Sequence, residues 1–328
     1  MGNPLLLGSV IFVALLAIGW QIAGATTLSP SLGGHFASTY ISFALLVVPI
    51  WFFGFGIAER VRQLLRSTFS RVSVAALFAA PYAIFAFPAH QFHWKIQAGF
   101  LLICVAVAVL LEWARRQYGS VRGGWQDFLV LAVLGLSVDL RVFESAWPYP
   151  GVSGISKLVL VDLALYGYLV IRQVEGIGYD LRPTLADVEI GVREFLFFAP
   201  IAVGLGLSLH FLHWHWRLPS AVMVFGGWGF TFLFIAIPEE LFFRGLVQNL
   251  LERRLGTWSS LAITSVLFGL SHFNKRLGTG AVGFNWRYVV LATIAGIFYG
   301  RAWLAKRRIM ASAITHTTID VTWGIWLR

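Results

Sequence analysis

The sequence predicts an all-α polytopic membrane protein with about ten or eleven transmembrane helices. Three observations carry that expectation. Of 328 residues, 58% are hydrophobic and only 12% are charged, whereas soluble domains carry about 25% charged residues. The mean hydropathy is +0.76. The apolar residues also gather into runs near the ~20 residues needed to cross a bilayer. A chain this poor in charge cannot cover its own surface in water. Soluble enzymes, disordered chains and ordinary secreted domains are thereby excluded.

The runs place spans near 4–24, 39–57, 72–88, 96–113, 126–140, 156–172, 194–212, 220–245, 257–272, 286–304 and 309–327. The first resembles a signal peptide in length, but its leader Met1-Gly2-Asn3 has no positive charge, so a transmembrane helix is expected. Segment 126–140 is short and carries Asp139, which leaves the count at ten or eleven. The polar stretch from Val174 to Arg193 holds Asp180, Arg182, Pro183, Asp187 and Glu189. It divides an amino-terminal bundle of unassigned role, residues 1–190, from a carboxyl-terminal one, residues 191–328.

The net charge is +10, but the positives are spread along the chain, so no nucleic-acid partner is expected. Arg60, Arg62, Arg66 and Arg71 fall in one loop, and Arg115, Arg116 and Arg122 in another. Arg172, Arg182 and Arg193, then Arg253 and Arg254, then Lys306, Arg307 and Arg308 follow in alternate loops. Eleven spans put all of these on one face, which the positive-inside rule makes cytoplasmic. Lys275, Arg276 and Arg287 fall on the other face. The single cysteine, Cys104, lies in an apolar run, which excludes a disulfide framework and disfavours thiol catalysis. His210, His213 and His215 lie among tryptophans and read as part of an interfacial aromatic belt.

Ionisable side chains inside a span cost about 2.5 to 3.5 kcal/mol each at mid-helix, so they mark functional candidates when they face the bundle interior. Three clusters qualify. In Ile237-Pro238-Glu239-Glu240-Leu241-Phe242-Phe243-Arg244, Arg244 lies about 40° round the helix from Glu240 and about 140° from Glu239. Glu240 and Arg244 form an i,i+4 pair. Glu239 points elsewhere, and poor solvation would suit it to act as a general base. A helix end emerging at the surface, with both glutamates in water, reads the same residues equally well. The second cluster, Phe268-Gly269-Leu270-Ser271-His272, offers a histidine at a span end, a place that interfacial histidines also occupy. In the third, Thr315-His316-Thr317-Thr318-Ile319-Asp320, His316 and Asp320 share a face. They could orient an imidazole for chemistry or glue two helices together.

Taken together, Glu239-Glu240-x-x-x-Arg244, Phe268-x-x-x-His272 and His316-x-x-x-Asp320 resemble the ordered EExxxR, FxxxH and HxxxN/D motifs of the CAAX protease and bacteriocin-processing (CPBP) family. This family includes the type II CAAX prenyl endopeptidases. The resemblance covers roughly residues 195–328. It implies a CPBP-type catalytic helix bundle in which Glu239 and His272 activate the attacking water. Glu240 and Arg244 would support the site through their ion pair, and His316 and Asp320 would hold the water or stabilise the oxyanion. Asp320 stands where eukaryotic members carry asparagine, and an ionised aspartate cannot donate to an oxyanion.

No cofactor is expected, since a glutamate-activated water suffices. Zinc held by Glu239, His272 and His316 is the alternative, although no HExxH occurs and zinc would occupy the glutamate needed as base. The resemblance thus implies an intramembrane endopeptidase. The absence of organelle signals and the compact loops lead to the expectation of a bacterial inner membrane. Its partners would be the lipid bilayer and a membrane-embedded or lipid-proximal protein or peptide substrate. The competing expectation is a non-proteolytic scaffold or immunity-type protein of the same fold.

Overall fold

The computed structural model describes residues 3–25, 31–119, 123–149, 151–216, 218–273 and 285–327. Arg122, Lys275 and Arg276 of the loop-charge pattern lie outside the described residues. The described chain is helical, with no strand. Two compact units divide it, Met1–Glu175 and Gly176–Arg328.

The first unit contains α1 (Pro4–Ala25), α2 (Gly33–Gly54), the short α3 (Ala58–Leu64), α4 (Thr68–Ala86), α5 (Trp94–Tyr118), α6 (Trp125–Asp139) and α7 (Ile155–Tyr166). The last of these continues through a wider π-type turn, Gly167–Ile171. Polar side chains join these helices where lipid offers no water. The Trp51 indole donates to the Gly8 carbonyl at 2.8 Å, Ser42 to the Pro81 carbonyl at 2.8 Å, and Tyr166 to the Arg71 carbonyl at 2.8 Å. Arg172 pairs with Asp127 through two bonds, 2.9 and 3.1 Å, and both side chains are fully buried.

The second unit contains α8 (Leu185–Ser208), α9 (Ala221–Leu255), α10 (Thr257–Leu270), α11 (Trp286–Lys306) and α12 (Ile309–Thr322), which a π-type turn, Trp323–Leu327, prolongs. Helix α8 starts at a capping box: the Asp187 amide donates to Thr184 Oγ1 at 3.3 Å, and the Thr184 amide to the Asp187 carboxylate at 2.8 Å. Asp187 also accepts from Arg308, 2.9 Å away at the head of α12. Helices α10 and α11 pack almost backbone to backbone. A Cβ at Gly269 would strike Thr293 and the Val289 carbonyl, and one at Gly296 would meet the Ser265 Cα at 3.0 Å. Small residues at such contacts are how apolar helices associate without a hydrophobic driving force. The loop after α8 is tied by its backbone, with the His213 and His215 amides donating to the Leu327 and Trp326 carbonyls.

Helices stand at every expected place. Seven of the described helices, α1, α2, α4, α5, α8, α9 and α11, are long and apolar enough to cross a membrane. The chain is an integral membrane protein. Helices α6 and α10 run 15 and 14 residues, under the span length that a bilayer sets, and α7 and α12 run 12 and 14 residues before the π-type turns that prolong them.

Candidate active site

The site is built on α9, which does not end at the carboxylates. It runs on to Leu255, leaving Glu239 near its middle, and Glu240 and Arg244 are fully buried. The reading in which both glutamates emerge into water at a helix end is therefore wrong. Pro238 deprives the helix of one amide donor and crowds the preceding turn. The helix answers with wider π-type turns on both sides, Phe232–Ala236 and Leu241–Gln248, instead of breaking. Such turns recur at functional sites because they re-aim side chains inside a continuous helix.

Glu240 is the hub of the buried part. Its Oε1 lies 3.1 Å from Arg244 Nη1 and 2.8 Å from His316 Nδ1, while Oε2 accepts from the Ser312 hydroxyl. Arg244 Nη2 donates to the Gly296 carbonyl at 2.9 Å, tying α9 to α11. The guanidinium also lies over the rings of Phe268, at 4.7 Å, and Tyr299, at 5.2 Å. An ion pair this dry holds only when its remaining bonding groups find partners, and most do here.

His316 is held on every side. Tyr299 stacks on its ring at 4.5 Å and 12°, and Phe268 meets it edge-on at 5.7 Å. With Nδ1 on Glu240, Nε2 faces two more carboxylates, Glu239 Oε2 at 3.8 Å and Asp320 Oδ2 at 3.5 Å. Glu239 differs from its neighbour in burial, since a third of its side chain is open.

His272 follows the end of α10. Its Nδ1 is 2.8 Å from the Phe268 carbonyl. A carbonyl only accepts, so Nδ1 carries the hydrogen and a neutral ring presents Nε2 as a base. His272, His316, Asp320 and Tyr299 share the wall of an open cavity of about 100 Å³, together with apolar residues of α8, α11 and α12 that include Phe198, Ala295 and Ile319. Glu239, Glu240 and Arg244 are not part of that wall.

The three motifs thus meet at His316, which the sequence paired only with Asp320. Three partners escaped the sequence reading. Ser312 lies one turn before His316, a legible i,i+4 step that its plain identity hid. Tyr299 and Gly296 belong to α11, which none of the motifs touches, and no spacing in the sequence points to them. Among the described residues, no three His, Cys, Asp or Glu side chains are grouped to hold a metal ion.

Comparison with known proteins bears on this same region. Residues 218–322 match the family model of the type II CAAX prenyl endopeptidases, Rce1-like. The Rce1-like stretch runs from just before α9 to the end of α12, and it includes all six candidate side chains, from Glu239 to Asp320. No curated protein and no solved structure matches the chain.

Proposed function

We propose that the chain is an intramembrane endopeptidase that hydrolyses a peptide bond of a membrane-embedded or lipid-proximal protein or peptide. The observation that carries this reading is the junction at His316. Its Nδ1 is fixed by a buried, arginine-paired carboxylate at 2.8 Å, while Nε2 faces Glu239 and Asp320 beside a cavity shared with His272. In the proposed reaction, Glu239 removes a proton from water as its oxygen attacks the scissile carbonyl. His272 Nε2 accepts from the same water and aligns it. The proton taken by Glu239 passes to the leaving amine nitrogen as the C–N bond breaks, which restores the carboxylate. Preorganised dipoles around the developing oxyanion supply the remaining stabilisation. Asp320, which cannot donate while ionised, holds the His316 ring.

The apolar cavity wall suits a substrate that arrives from lipid. Glu240 and Arg244 act through His316 and are positioning residues. We assign residues 191–328 as the protease domain and residues 1–190 as a bundle that selects or admits substrate. The shorter helices α6, α7, α10 and α12 lie within the membrane with the seven long ones. The membrane is a bacterial inner membrane, with the arginine-rich loops in the cytoplasm.

The test is proteolysis in reconstituted vesicles, offering membrane proteins and leader peptides of the same cell and reading products by mass spectrometry. Wild type should yield products that Glu239→Gln does not, with or without a zinc chelator. Chelator-sensitive cleavage would overturn the metal-free mechanism. A complete lack of products that depend on the wild-type protein would favour the scaffold or immunity-type role.

A further inference from the structure

The second unit carries a charged cluster that the proteolytic site does not use. Glu194, in the third turn of α8, is fully buried, and its carboxylate is shared by two arginines. Arg193 reaches Oε1 through Nη2 at 2.8 Å and through Nε at 3.1 Å. Arg301, on α11, reaches Oε2 through Nε at 3.0 Å. One negative charge thus meets two positive ones. The arginine side chains remain 50% and 44% exposed. Among the described residues, no other acceptor takes the terminal nitrogens of Arg301 or the second one of Arg193.

The surroundings of this surplus charge are those of lipid. Leu196 is 61% exposed, Phe197 51% and Ile201 46%. Arg193, Phe197 and Ile201 follow one another at i,i+4 spacing along one stripe of α8. On α11, Ile297, 37% exposed, stands one turn inward from Arg301. The Arg301 guanidinium lies 5.4 Å from the ring centre of Phe298 and 5.9 Å from that of Phe197. Two apolar stripes therefore run inward from one guanidinium pair.

Depth also fits a headgroup. Arg193 lies about 12 Å along α8 from its start and Arg301 about 8 Å from the end of α11. Arg308, at the head of α12, is bonded to Asp187 and Asp180, so its own charge is already answered. A guanidinium facing hydrocarbon without a counter-charge is costly. Long basic side chains near a span end relieve that cost by reaching the headgroup layer, and the planar fork of arginine matches a phosphate bidentately.

We infer that Arg193 and Arg301 form a clamp for the phosphate of an anionic glycerophospholipid, whose acyl chains lie along Phe197, Ile201 and Ile297. The buried Glu194 carboxylate splays the two guanidiniums and limits their surplus to one charge, which tunes the clamp to a monoanionic phosphodiester. The clamp depends on the membrane setting of α8 and α11 and not on proteolysis, so it stands or falls separately from the proposed activity.

The experiment is native mass spectrometry of the full chain after exposure to equal amounts of phosphatidylglycerol and phosphatidylcholine. Wild type should retain phosphatidylglycerol preferentially. The double substitution Arg193→Gln with Arg301→Gln should lower that retention by about tenfold or more. Glu194→Gln, which frees both guanidiniums, should raise it several-fold, and this variant keeps the test decisive if the double one misfolds. Lys306→Gln, at the same end of α11 but outside the pair, should leave retention unchanged. Equal retention of the two lipids, or no change in the double variant and in Glu194→Gln, would overturn the assignment. Displacement of the bound phosphatidylglycerol by millimolar inorganic phosphate would overturn the lipid in favour of a free-phosphate site.

Discussion

The two units bury ion pairs of the same chemistry and use them differently. In the first, Asp127 and Arg172 form a closed set. The carboxylate takes Arg172 twice, at 2.9 and 3.1 Å, and the Gly124 amide at 2.7 Å, while the Tyr168 hydroxyl caps the Asp127 carbonyl at 2.6 Å. Arg172 gives a further bond to the Gly119 carbonyl. In the second unit, Glu240 and Arg244 are as deeply buried, but the carboxylate spends its remaining capacity on Ser312 and on His316. That imidazole carries the influence of the pair to two more carboxylates and to the edge of a cavity. A closed pair can only hold helices together. A pair that ends on a histidine can position chemistry.

The comparison predicts that substitutions at the site in the second unit lower activity, whereas breaking the closed pair of the first lowers stability alone. After Glu239, the largest expected effect is at His272. Replacement by alanine should lower kcat about 10²- to 10⁴-fold, the range of a lost acid–base partner, with the thermal unfolding midpoint nearly unchanged. A parallel fall in both would merge the two units into one structural role. Next is Asp127→Ala. It removes the carboxylate that the buried Arg172 meets twice, and breaking a buried pair costs about 3 to 5 kcal/mol of stability. Denaturant titration in detergent would measure it, and cleavage per folded molecule should be preserved.

Tyr299→Leu tests the stack on His316. Losing an aromatic contact costs about 0.5 to 1.5 kcal/mol beyond area, and the freed imidazole should lower kcat with little change in KM. The smallest effect lies outside the membrane, at Asp180. Burial works to raise its carboxyl, but the hydrogen bonds and charge of Arg182, with the charge of Arg308, hold it below the ordinary carboxylate value. A carboxyl depressed in the folded state adds stability above its unfolded pKa of about 4 and loses it as pH falls through the lower folded value. The stability difference between wild type and Asp180→Asn should therefore be constant near neutrality and vanish in acid. A difference that persists there would detach Asp180 from its arginines.

Much of this was legible in the sequence because membrane burial writes itself into composition. Apolar runs fixed where the helices stand, and the cost of charge in lipid singled out Glu239, Glu240, Arg244, His272, His316 and Asp320. The i,i+4 rule paired Glu240 with Arg244 correctly because both lie on one helix. It paired His316 with Asp320 for the same reason, but missed that Glu240 takes the other nitrogen, since contacts between helices leave no periodic trace. Helix α9 also outran its expected end near residue 245 because Arg244 is buried, and buried arginine looks like a helix terminus in hydropathy alone. Tyr299 and Glu194 were invisible for a related reason. Tyr299 meets His316, and Glu194 meets Arg301, on another helix.

The most direct test compares Glu239→Gln with Glu240→Gln in the same reconstituted vesicles, reading cleavage and unfolding midpoint on each. Glu239→Gln should abolish cleavage and keep the wild-type midpoint, because this side chain is a third open and its loss strands no buried charge. Glu240→Gln should lower both, because it leaves Arg244 unpaired in a dry core and releases His316. Full cleavage by Glu239→Gln, or an unchanged midpoint in Glu240→Gln, would contradict the division of labour between these two adjacent glutamates.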